Sequence, residues 1–104
     1  MRQLLPSRRP CENISLRRGS IEYIVSVGCF DDGSPSEVFV NADHAESGEQ
    51  CAARDATVVL SIAFQHHISP EVLRRSVTRL ENGKAASIVG DILDLLCKLQ
   101  REAA

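Results

Sequence analysis

The hydrophobic period of this chain changes once, near Asn41, and that change sets the kind and order of the elements it can form. Up to Asn41 apolar side chains return at every second position. Ile14 and Leu16 lead, then Ile21, Tyr23, Val25, Val27 and Cys29, then Val38 and Val40. A period of two belongs to strands with one buried face, and β-branched residues, which strands favour, dominate these runs. Arg18-Gly19-Ser20 separates the first two runs and Asp31-Asp32-Gly33-Ser34-Pro35 the next two. Both are turn chemistry: glycine supplies positive φ, and aspartate bonds the backbone ahead of it. Connections this short imply antiparallel neighbours, hence a three-stranded meander.

Beyond the polar stretch Asn41 to Gly48 the period becomes helical. Glu49 to His66 reads as one helix, with Ser47 as N-cap and Glu49 in the first turn, where the helix dipole favours negative charge. Seven of the nine residues from Ala56 to Phe64 are apolar, so this helix is expected to be buried nearly all round. Ala56, Val59, Leu60, Ala63 and Phe64 are then the expected central core, with Val25, Val38, Ile92 and Leu96 around them. Arg54, Ser61 and Gln65 lie close to one stripe, the only polar outlet of the helix. Thr57 and Ser61 can bond carbonyls one turn back.

Ser69-Pro70-Glu71 opens a second helix, with serine as cap and proline at the first helical position. Asn82-Gly83 is expected to stop it, and Glu71 to pair with Arg75 one turn on. A third helix spans about Ser87 to Arg101. It carries two apolar stripes, Ile88-Ile92-Leu95-Leu99 and Val89-Leu93-Leu96, opposite Asp91, Asp94, Lys98 and Arg101. The expected fold is α+β: a three-stranded antiparallel meander followed by three helices packed on one sheet face.

With 104 residues and a mass of 11.4 kDa, the chain makes one domain. Residues 1–10, with Arg2, Arg8 and Arg9, are expected to form a flexible basic arm, and residues 11–104 a single domain. Twelve basic against fourteen acidic side chains give a net charge of −2, which argues against a nucleic-acid-coating protein. No apolar run approaches the roughly 18 residues of a membrane span, and Met1 to Pro10 lacks the apolar core of a signal peptide. The expected location is the cytoplasm. There Cys11, Cys29, Cys51 and Cys97, each at least 18 positions from the next, would be thiols. Neither their spacing nor the adjacent His66-His67 pair suits a metal site, so no metal and no cofactor is expected.

No phosphate loop, nucleophile elbow or paired-histidine helix is present in the sequence, so no catalytic residue is assigned. Three groups could hold a ligand. Asp31, Asp32 and Glu37 cluster at one turn, and paired carboxylates can bind magnesium or share a proton. The turn alone also accounts for Asp31 and Asp32. Arg54-Asp55 interrupts an apolar helix, and such charges need partners, for instance across to the sheet. Arg74, Arg75 and Arg79 line the second helix, with Arg75 and Arg79 on one face at i, i+4, and Arg17 and Arg18 stand in the first hairpin. Arginine forks suit phosphate; a solvated basic face is the plainer reading.

The stretch Asp32-Gly33-Ser34-Pro35-Ser36-Glu37-Val38-Phe39-Val40 resembles the "DGxPxEiFv" segment of the TSCPD domain family. Gly48, Ala53-Arg54-Asp55-Ala56, Leu60-Ser61-Ile62-Ala63-Phe64-Gln65-His66 and Ile68-Ser69-Pro70-Glu71-Val72-Leu73 follow in the family's order. Lys84-Ala85-Ala86-Ser87-Ile88-Val89-Gly90 and Leu93-Asp94-Leu95-Leu96 match its small stand-alone members. The resemblance covers about residues 8 to 97. In the family this domain ends cobalamin-dependent, class II ribonucleotide reductases and also occurs as short free-standing proteins. The eponymous Thr-Ser-Cys-Pro-Asp string is absent here; Ala85-Ala86-Ser87-Ile88-Val89 stands near its place. The reductase's catalytic barrel and cobalamin site are absent too. The resemblance implies a binding or regulatory module linked to deoxynucleotide synthesis, whose partner is a nucleotide, a ribonucleotide reductase subunit or its own copy. The rival readings are a purely structural homo-oligomer, and a small enzyme working at the Asp31, Asp32 and Glu37 turn or the Arg54-Asp55 pair. A dimer or higher assembly is expected, because the second strand has Ile24 and Phe30 on its outer face and the third helix has two apolar stripes.

Overall fold

The computed structural model describes residues 11–42 and 48–103. Three strands, β1 (Cys11–Arg18), β2 (Ile21–Cys29) and β3 (Pro35–Ala42), precede three helices, α1 (Gly48–Gln65), α2 (Pro70–Ser76) and α3 (Ile88–Ala103). The sheet order is β1-β2-β3, antiparallel throughout, so the α+β meander-then-helices fold is as the hydrophobic periods require. The basic arm and the Ser47 cap lie outside the described residues.

Gly19 and Gly33 take positive φ, 61° and 87°, at the two hairpin turns. In the second turn the Asp32 carboxylate accepts from the Ser34 amide at 2.9 Å and from the Ser34 hydroxyl. A register shift between Gly28 and Cys29 marks a bulge beside that turn. Ile14 pairs with Val25, Leu16 with Tyr23, Val25 with Val40 and Val27 with Val38. Cross-strand partners share a face, so these residues make one apolar sheet face, and the helices pack on it. Leu60, Phe64, Ile92, Leu93 and Leu96 meet it in a single buried cluster.

The inward residues of α1 are not those its apolar run suggests. Gln50, Thr57, Ser61 and Gln65 are buried together with Ala53, Leu60 and Phe64, whereas Val58, Val59 and Ile62 face outward at 48%, 66% and 38% exposure. Val59 is therefore not a core residue, and Ala56 and Ala63 are only half-buried. The reason lies on β3, whose outer edge needs hydrogen-bond partners. Ser61 Oγ accepts from the Val38 amide at 2.9 Å, and its own proton faces the Val38 carbonyl at 3.0 Å and the Thr57 carbonyl at 2.8 Å. Gln65 Nε2 donates to the Ser36 carbonyl at 3.1 Å. The helix thus stands where a fourth strand would pair, and its polar stripe must turn inward to do so.

After α1, His67 has a φ of 63°. The His67 amide donates to Phe64 and the Ile68 amide to Ala63, which closes the helix as a Schellman cap. The His67 ring lies 5.4 Å from that of Phe30. Ser69 caps α2 by accepting from the Val72 amide at 3.4 Å. The helix ends at Ser76, several residues before Asn82-Gly83. Val77 is extended, at φ −84° and ψ 158°, and packs on the core. The chain then makes a small hairpin: Arg79 bridges Ala85, and Gly83, at φ 86°, forms the turn. This hairpin presses on α3 at Gly90, where an added Cβ would sit 2.7 Å from the Ala85 Cβ. Among the described residues no helix is long and apolar enough to cross a membrane.

Candidate functional site

The carboxylates of the second turn separate. Asp31 and Asp32 are exposed, and Asp32 is held by Ser34, whose hydrogen bonds keep its carboxyl below the usual range. Glu37 is buried on β3, opposite Gly28, whose missing side chain leaves it room. Asp32 is thus a turn-forming residue. Arg54 is half-buried and engaged by a partner, while Asp55 is exposed on the outward side of α1.

Arg75 and Arg79 do not share a helix face, because α2 ends between them. Arg75 is exposed, and its Nε donates to the Glu71 carbonyl at 3.3 Å. Arg79 forks onto Asp94 of α3, with both contacts at 2.7 Å, and also donates to the Arg74 carbonyl. Arg74 reaches the same carboxylate at 2.8 Å and pairs with Glu71, taking the place expected of Arg75. Asp94 is thus the hub that ties α2 and the hairpin to α3. The Arg79 hydrogen bond holds the Asp94 carboxyl below its ordinary range against the opposing effect of burial, and the same bond raises Arg79. Nearby, burial and then the Glu71 carboxylate push the Cys97 thiol up. An arginine so committed has little left for a phosphate. The sequence places Asp94 on the polar side of α3, but the early end of α2 was needed to bring Arg79 to it.

Elsewhere Arg18 NH1 donates to Asp91 at 2.8 Å and lies 3.4 Å from the Ala85 carbonyl. Cys51 and Cys97 are free thiols. Among the described residues no group of three or more His, Cys, Asp or Glu side chains is placed to hold a metal ion.

Two features remain open. One is the outward face of α1, where Val58, Val59 and Ile62 follow one another over little more than a turn, with Phe39 of β3 also exposed at 44%. The other, which sequence reasoning missed, is a pocket of about 530 Å³ between the first turns of α1, Tyr23 of β2, Arg18 and the start of α3. Small residues at Ala52 and Ala56 leave this space, and alanines in a helix give no periodic signal that a cavity lies over them. Of the α3 stripes, Ile88, Ile92, Leu93 and Leu96 are buried within the domain while Val89, Leu95 and Leu99 are half-buried, and the Phe30 ring lies against His67. The chain matches no protein-family model, no curated protein and no solved structure.

Proposed function

We propose that this protein is a binding or regulatory module, not catalytic on its own, that assembles with a second copy through the outward face of α1. The exposed Val58, Val59 and Ile62 carry the proposal. Isolated apolar side chains on a surface are normal, whereas a contiguous group on one helix marks an interaction site. A two-fold axis across α1 would place each group on its own copy, the commonest arrangement of small assemblies. The internal use of Arg79 and Asp94 and the dispersal of Asp31, Asp32 and Glu37 favour a module of this kind over a small enzyme. The TSCPD resemblance of the segments from Asp32 to Leu96 supports a cytoplasmic role linked to deoxynucleotide synthesis, with a ribonucleotide reductase subunit as the further partner. Light scattering at micromolar concentration tests the assembly. A mass near twice 11.4 kDa is expected for the wild type, and a monomer mass for Val59→Asp. A wild-type monomer across a hundredfold concentration range would overturn it.

A further inference from the structure

We infer that the pocket between α1 and the start of α3 is a binding site for a small monocarboxylic acid with an apolar body. Its volume of about 530 Å³ lies within the range of small-molecule sites, about 300–1,000 Å³. One wall is apolar: Ala52 and Ala56 from α1 and Val89 from α3. The polar groups around it are donors. Tyr23 lines the pocket and is 4% exposed, yet its hydroxyl makes no hydrogen bond among the described residues. Among those residues Ser36 Oγ is the one fully sealed side-chain atom without a partner. Tyr23 is thus a buried phenol in the pocket lining, and a buried phenol ordinarily finds a partner.

Two further donor groups converge there. Among the described residues Arg18 spends only its NH1 on protein, on Asp91 and Ala85, and its Nε and second amino group have no acceptor among them. At the start of α3 the Ser87 hydroxyl accepts from the Gly90 amide at 3.3 Å. The amides of Ile88 and Val89, in the first turn, have no acceptor within the helix. A site of donors above an apolar wall calls for a ligand with an acceptor head and an apolar tail. Charge selects among such heads. Asp91 already offsets Arg18, which leaves the helix dipole and neutral donors, a field suited to one negative charge rather than to a phosphate carrying two.

Hexanoate is a suitable probe, followed by amide chemical shifts of the full chain. Saturable shifts confined to Ile88, Val89, Gly90 and the pocket alanines are expected. Tyr23→Phe, which removes only the hydroxyl, should weaken hexanoate about tenfold, and Ala56→Phe should fill the space and abolish the shifts. Hexanamide should bind about tenfold more weakly than the acid, and inorganic phosphate should give no saturable change at these amides. Diffuse shifts, an affinity unchanged in Tyr23→Phe, or phosphate or the amide binding as well as hexanoate would each overturn the assignment. Val59→Asp, made monomeric, should bind hexanoate as the wild type does, so loss of assembly and loss of this site are separately visible.

Discussion

Helices α1 and α3 are of similar length and both rich in aliphatic residues, yet α1 buries a polar stripe beside its apolar one and α3 does not. α3 lies over the inner sheet face and does what its periodicity says: Ile88, Ile92, Leu93 and Leu96 go in, and Lys98 and Arg101 go out. α1 lies along β3 and gives the edge of that strand Ser61 and Gln65, so Val58 and Val59 are left outside. The difference shows which demand dominates when both cannot be met. An unpaired buried backbone amide or carbonyl costs about 1–3 kcal/mol. A valine left half-exposed forfeits only part of the roughly 1.5–3 kcal/mol that full burial would bring. Two backbone groups of Val38 and one of Ser36 therefore set the rotation of the whole helix.

The sharpest way to break the comparison uses neighbours in sequence. Leu60 is 6% exposed and Val59 66%. Leu60→Ala should cost about 2–5 kcal/mol in urea unfolding, as should Ile92→Ala in α3. Val59→Ser should stay within about 0.5 kcal/mol of wild type at concentrations where the protein is monomeric. Equal losses at Leu60 and Val59 would mean that α1 is turned differently.

A smaller effect isolates the polar stripe. Ser61→Ala removes the acceptor of the Val38 amide while keeping a good helix former, and should cost about 1–3 kcal/mol. Hydrogen exchange at Val38 should speed up more than at Val25, in the middle strand. Protection of Val38 unchanged by the substitution would remove the edge-covering role.

The smallest effect concerns what fastens α3. Asp94 has a carboxyl held below its ordinary range by Arg79 and Arg74, so it contributes stability above the ordinary carboxylate pKa of about 3.9. That contribution is lost as pH falls through its lowered folded value. Asp94→Asn should therefore lower the urea midpoint at neutral pH by less than Leu60→Ala does, since the pair is one-third exposed. The gap from wild type should close on acidification. A gap that holds constant down to about pH 2, below the carboxylate range, would assign the loss to packing instead.

The strands, their turns and the helix starts were legible because each rests on a local signal: period two from Ile14 to Val40, Gly19 and Gly33, and Ser69-Pro70. The end of α2 was not, because Asn82-Gly83 is a genuine turn signal that serves a hairpin instead, while Val77 leaves the helix for the core. The turn of α1 was hidden for a related reason. Its polar stripe is the same whether it meets water or a strand edge, and only the position of β3 decides between them. The sequence reading that joined Arg75 to Arg79 carried the misplaced helix end into the site. The pocket at Tyr23 is formed by residues brought together from β1, β2, α1 and α3, so no local pattern announces it.

The contact of Ser61 with Val38 also has a temporal side. A ribosome makes this chain from its N-terminus, so the meander is complete before α1 exists. Until Ser61 and Gln65 have emerged, β3 presents unpaired amides and carbonyls, which is the template on which strands of neighbouring chains add. The interval between the synthesis of Val38 and that of Gln65 is the period in which a nascent chain of this protein is most exposed to joining another, and docking of α1 ends it.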